Sequence, residues 1–168
     1  GVFKQANEGT ARMYWTDYGL SSIGLRPHTV YGPGRDQGIT SDPTKAMLAA
    51  AAGEPFTIQY SNGFLLQFAS DVARQFIEAS RHPGRGNHVF NLGGEAPSMP
   101  GLIGMIREIV PGARIDFLEH KFPIPELMDS TALREHFTRV PETPLGSGIE
   151  RTIQMFRRLL AEGRLAAP

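Results

Sequence analysis

Apolar and polar positions along the chain change spacing repeatedly, from helical to strand-like and back. Residues 2–18 are mostly helix-tolerant, and Gly19 stands where a left-handed C-cap ends a helix. Residues 22–26 form a short, largely apolar run stopped by Pro27, the pattern of a buried strand in a parallel sheet. Turn formers crowd residues 29–38, which predicts a loop leaving that strand's carboxyl end, the edge at which open α/β sheets bind ligands. An alanine-rich helix over 43–52 follows, stopped by Gly53, then strands over 56–59 and 64–68 separated by a turn at Ser61-Asn62-Gly63. Val72, Phe76, Ile77 and Ala79 give a helical spacing over 71–81, and residues 88–92 read as another buried strand. One apolar face, with Leu102, Ile103, Ile106 and Ile109, marks a helix over 99–110. A strand over 114–118, a short helix over 131–136 and a last helix over 148–162 complete the pattern. Strands alternating with helices predict an α/β fold, and no repeat or low-complexity segment interrupts it.

Composition narrows the classes of function. A chain of 168 residues with 40% hydrophobic content has material for one core. Seventeen basic residues balance seventeen acidic ones, so no net field steers the chain to nucleic acid or to an anionic membrane, and neither is expected as a partner. Cysteine is absent, which rules out disulfides and thiolate metal sites and fits a reducing cytoplasm. No apolar run spans a bilayer, and the amino end lacks the features of a signal peptide. The five histidines show no paired ligand spacing, and no metal site is expected. Neither a Gly-x-Ser-x-Gly elbow nor a cysteine nucleophile is present to support hydrolase chemistry. The chain enters a helical pattern at once, with no initiator Met, cap or preceding strand, and is expected to be joined midway.

Several motifs stand in a definite order: Lys4 on a first helical turn; Leu25-Arg26-Pro27; Val30-Tyr31-Gly32-Pro33; Asp71-Val72-Ala73; Phe90-Asn91-Leu92-Gly93; and Asp129-Ser130-Thr131-Ala132-Leu133 before Thr143-Pro144-Leu145. Taken together they resemble the extended short-chain dehydrogenases/reductases, the family of the NAD-dependent epimerases and dehydratases, over nearly the whole chain. The resemblance implies a C-terminal part of a Rossmann-type parallel sheet with the smaller α/β substrate-binding region. It also implies that residues 1–168 are the C-terminal half of such an enzyme, the N-terminal dinucleotide-binding half being absent and the fragment itself inactive. A catalytic Tyr would stand immediately before Gly1.

From the same resemblance come the cofactor, NAD or NADP, and a sugar-like substrate bearing a hydroxyl or keto group. Lys4 takes the catalytic and cofactor-binding role of the family's lysine. A Tyr-x-x-x-Lys spacing puts both side chains on one helical face, where the ammonium favours the phenolate; an ordinary solvated lysine is the alternative. Pro27, His28, Thr29 and Val30 match positions that pack on the nicotinamide, against the alternative of a plain strand exit. Thr29, Arg35 and Gln67 are the candidate substrate contacts. Many relatives carry Asn where Thr29 stands, Arg35 is alternatively a surface arginine beside Asp36, and Gln67 alternatively an exposed edge residue. The family's diphosphate-binding Arg is replaced by Phe64, which favours a substrate without a nucleotide. The first helix, with small residues among Phe3, Tyr14 and Trp15, matches one that joins a four-helix homodimer interface in relatives, and exposed apolar surface is expected on it. Gly32-x-Gly34-x-x-x-Gly38 imitates a dinucleotide fingerprint, but Pro33 removes a backbone donor where a phosphate would need one. A rival reading keeps the fold and drops the chemistry, as a non-catalytic dinucleotide-sensing or protein-binding relative.

Overall fold

In a computed structural model, which describes residues 1–166, six helices and six strands alternate as the hydrophobic spacing requires. Helix α1 (Val2–Tyr18) ends on Gly19 at φ 67°, a left-handed cap that closes the helix without a Cβ penalty. Strand β1 (Ser22–Arg26) pairs in parallel with β5 (Asn87–Asn91). Strands β2 (Thr29–Tyr31) and β4 (Leu66–Phe68) form a second parallel pair, and β3 (Phe56–Ile58) and β6 (Ile115–Phe117) a third. Helices α2 (Asp42–Ala52), α3 (Ala69–Arg81), α4 (Met99–Ile109), α5 (Thr131–His136) and α6 (Leu145–Ala161) connect and cover them.

Three expectations need correction. Residues 29–31 are strand rather than loop, because their pairing partner β4 lies 37 positions away in register and outweighs the local turn chemistry that begins at Gly32. Strands β1 and β5 are half-buried rather than buried, Phe90 apart: among the described residues each pairs only with the other, and α1, which packs beside them, contributes no buried residue. Helix α6 begins at Leu145, three residues before Gly148, since the Leu145 N–H is met by Glu95 Oε1 at 2.7 Å, a cap supplied from 50 residues away.

The main core lies between α2, α4 and α6 and the β2–β4 and β3–β6 pairs. On α6, Leu145, Ile149, Thr152, Ile153 and Phe156 recur at helical spacing and turn inward. Ala46, Ala49 and Ala50 of α2 oppose them, and their short side chains let the two helices approach closely. Gly148 is demanded by its neighbour: the Tyr31 phenol oxygen occupies the space a Cβ would take there.

A smaller cluster joins β5, α3 and α5 through Phe90, Leu92 and Leu133. His136 closes it, its ring centroid 4.6 Å from those of both His82 and His88 and 4.8 Å from that of Phe90. Burial, then the neighbouring His88 and His82, lower the pKa of His136. The unfolded chain therefore takes up this proton at a higher pH than the folded one, and stability falls as pH drops below about 6.5. We expect His136→Phe to flatten that acid-side loss in denaturant titrations at a series of pH values; an unchanged pH slope would refute the linkage.

Candidate functional site

Of the residues singled out from the sequence, Pro27 and His28 follow the carboxyl end of β1 directly, and Thr29, Val30 and Gln67 lie in the β2–β4 pair. Glu8 of α1 accepts from Arg26 Nε at 2.7 Å and pairs with the same guanidinium, which fastens the first half of α1 to the last residue of β1. That hydrogen bond, ahead of any other cause, holds the Glu8 carboxyl below the ordinary carboxylate range. Lys4 precedes Glu8 by one helical turn, so both lie on the same side of α1, and Lys4 is exposed. Pro27 follows Arg26 directly and is exposed as well.

His28 and Thr29 turn the chain from β1 into β2. The His28 backbone N–H donates to Gln67 Oε1 at 2.9 Å, and Gln67 Nε2 donates to the Leu92 carbonyl at 2.8 Å. One buried amide thus bridges the β1–β2 junction to the end of β5. His28 Nε2 lies 2.7 Å from the Pro125 carbonyl, which can only accept, so Nε2 carries the hydrogen. In the neutral ring Nδ1 is then the acceptor, and Thr29 Oγ1, 3.1 Å away, donates to it. The exposed-edge alternative for Gln67 is corrected by its 4% exposure. Thr29, at 1% exposure, likewise spends its hydroxyl inside the protein. Val30 is half-buried in β2. Arg35 is drawn back over its own loop, donating to Thr40 Oγ1 at 3.2 Å with its guanidinium against Gly38. Positive φ at Gly32, Gly34 and Gly38 makes that loop a series of turns with no helix opening from Gly34, in keeping with rejection of the dinucleotide fingerprint.

The structure shows contacts that the sequence did not, around Phe64 and the turn before it. Phe64, at 3% exposure, packs its ring 5.6 Å from His28 and 5.2 Å from Tyr60. Buried Asn62 clasps Phe122 from both sides, accepting from its N–H at 2.7 Å and donating to its carbonyl at 3.3 Å. Further bonds run from the Ser61 N–H to the His120 carbonyl and from the Leu65 N–H to the Glu126 carbonyl. Residues 120–126 are thereby strapped across His28 and the β3–β4 connection. The Ser-Asn-Gly turn and the proline-rich run Phe122-Pro123-Ile124-Pro125 were the sequence signals of this strap; neither told that the Pro125 carbonyl meets His28. Loss of a buried two-way amide costs about 1–3 kcal/mol, so Asn62→Ala should speed amide hydrogen exchange at Phe122 and Leu65 relative to the main core. Equal protection in mutant and parent would remove Asn62 from this role.

Among the described residues, no group of three or more His, Asp or Glu side chains is arranged to hold a metal ion, and no helix is long and apolar enough to cross a membrane.

Fold and motif order together define a class. The model of the NAD dependent epimerase/dehydratase family matches residues 1–93. The chain belongs to that family. Among solved structures, it superposes on a UDP-glucose 4-epimerase from Thermotoga maritima with TM-score 0.81 at 24% identity, over 95% of this chain and 53% of that one. MoeE5, solved with UDP-glucose and NAD, matches at 27% identity and TM-score 0.77, over 95% of this chain and 56% of that one. A partial-consensus L-threonine 3-dehydrogenase matches at 22% identity and TM-score 0.79, over 96% of this chain and 56% of that one. The chain therefore spans about half the length of these structures, and its parallel α/β arrangement is that of Rossmann-like epimerases. No curated protein matches it significantly.

Proposed function

We propose that residues 1–168 are the C-terminal, substrate-side half of a cytoplasmic NAD(P)-dependent epimerase, dehydratase or reductase acting on a sugar or similar hydroxyl or keto compound. Without the dinucleotide-binding half the segment is inactive by itself. One observation supports the reading: the Glu8–Arg26 pair fastens α1, one helical turn after Lys4, to the last residue of β1, directly before Pro27 and His28. An exposed ammonium on the first turn of α1, with an exposed proline and a half-buried imidazole following β1, suits a flat nicotinamide and its ribose hydroxyls. NAD or NADP, when bound, supplies the hydride acceptor and donor.

The chain's own residues do the rest. Lys4 stabilises the phenolate of a tyrosine one turn earlier, immediately before Gly1, so that this phenol takes and returns the substrate's hydroxyl proton. Pro27, His28, Thr29 and Val30 shape the wall on which the nicotinamide rests. Thr29 and Gln67, committed inside the protein, act on the substrate by fixing the His28 ring and backbone; Arg35 is the substrate contact able to swing outward. Apolar Val2, Phe3, Tyr14 and Tyr18 are exposed on α1 and supply the homodimer face.

Phe64 sets the substrate class. With an apolar ring buried between His28 and Tyr60 there is no guanidinium at this point to neutralise a diphosphate. The substrate is accordingly a sugar or hydroxy compound without a nucleotide. Binding assays on the full-length enzyme should favour free sugars over their UDP conjugates, and a UDP-sugar that binds as well or better would overturn this choice.

A further inference from the structure

Three of the five histidines gather around the end of α5. His136, its last residue, has its ring centroid 4.6 Å from that of His82, which follows α3, and 4.6 Å from that of His88 in β5. Imidazole is the side chain whose ordinary titration falls between about pH 5 and 8, so this point of the fold changes charge in mild acid. We infer that His82, His88 and His136 form an acid-sensitive latch that holds α5 on β5 and releases it on protonation while the main core stays folded.

The closed geometry resists a proton at two of the rings. His82 Nδ1 accepts from the Gly84 N–H at 3.1 Å, a bond that a protonated Nδ1 cannot keep. His136 Nε2 is buried without a partner, so an N–H at that atom has no acceptor. Charging the outer rings then opposes charge on His136, which touches both.

No counter-charge answers the cations in place. The charged residues at this end of the packed elements are Asp17 of α1, Glu78 and Arg81 of α3, Arg85 before β5, Arg134 and Glu135 of α5, and Arg139 beyond it. In β1, Ile23 stands opposite His88 between the uncharged Ser22 and Gly24. Arg134 is taken by Glu142 at 2.9 Å. Asp17, Glu78 and Glu135 are exposed, and among the described residues no carboxylate pairs with any of the three imidazoles. A cavity of about 330 Å³, lined by His82, His136 and Phe137 beside exposed Arg81 and Arg139, brings solvent to the rings.

Release stays local because the cluster under α5 is small: its buried members are Phe90, Leu92 and Leu133, apart from the main core, and segments with few buried contacts open first. Before α5 the chain is held by Asn91 Nδ2, which donates to the Asp129 carbonyl at 3.0 Å. Beyond it, the Gln75–Pro141 and Asp71–Thr143 bonds anchor the chain, so residues 129–140 are the part that lifts. Lifting loosens the end of β5, where the Leu92 carbonyl holds Gln67 and, through it, the His28 backbone.

Hydrogen exchange of the full-length protein from about pH 7.5 to about pH 5, corrected for intrinsic exchange and read by mass spectrometry, tests the latch. Protection over residues 131–137 should fall by about tenfold or more towards the acid end, while that over α2 and α6 should hold. His136→Phe should keep residues 131–137 protected in acid, and His82→Gln should move the midpoint to lower pH by removing one opposing charge. His82 is half-buried beyond the end of its helix, so its variant keeps the fold even if the other does not. Protection lost from α2 and α6 together with residues 131–137, lost equally in the parent and both variants, or kept by the parent in acid would each overturn the latch.

Discussion

Replacing Lys4 by Met in the full-length enzyme should lower kcat/KM by about 10²- to 10⁴-fold, the range ascribed to positioned proton transfer, with no change in thermal stability. The two halves of that expectation have separate causes. Lys4 is exposed on a helix that contributes nothing buried, so the fold does not depend on it. Lys4 nevertheless stands one helical turn before Glu8, the residue that fastens α1 to Arg26 at the end of β1. Under the proposed mechanism, loss of the Lys4 charge would raise the pKa of the catalytic phenol and move the basic limb of the rate profile with it. Lys4→Arg keeps the charge and should retain more activity than Lys4→Met. A Lys4→Met enzyme with parental kcat/KM would make Lys4 an ordinary surface lysine.

The largest stability effect is expected at Gly148. Within a helix, Ala is intrinsically better than Gly by about 1 kcal/mol, so helix propensity alone predicts that Gly148→Ala stabilises. The Tyr31 phenol oxygen instead fills the volume of the new methyl, with its ring carbon Cζ 2.9 Å from the ideal Cβ position. Both residues lie in the main core, where α6 packs over β2, and overpacking of this kind costs about 1–3 kcal/mol. The melting temperature should fall by several degrees, at about 2–4 °C per kcal/mol for a chain of this size. Tyr31→Phe in the same background removes the nearest atom and should recover part of the loss. An unchanged or raised melting temperature in Gly148→Ala would contradict the packing.

Local chemistry made much of the fold readable. Gly19 and Gly53 mark helix ends because left-handed caps at φ 67° and 77° favour glycine, and α6 is visible because Ile149, Ile153 and Phe156 repeat at helical spacing. Long-range pairing was not readable. Residues 29–31 become strand through β4, and α6 starts early through Glu95, neither of which the neighbouring residues encode. In the candidate site, motif order located Lys4 and residues 27–30, whereas alternation along β4 could not say that Gln67 points inward to bridge His28 and Leu92. Asp71 and Gln75 left a trace, polar residues one turn apart on an amphipathic helix, but their partners Thr143 and Pro141 are met only when the segment before α6 folds back over them.

The most direct test of the proposed catalysis follows a deuterium at the reacting carbinol carbon of the substrate in the full-length enzyme, with product and bound cofactor read by mass spectrometry. Hydride chemistry predicts that the label appears on the nicotinamide or returns to the product carbon, and that Lys4→Met slows its transfer. Deuterium lost to water, or a substrate left untouched while NAD still binds, would contradict the account and leave a dinucleotide-sensing relative in its place.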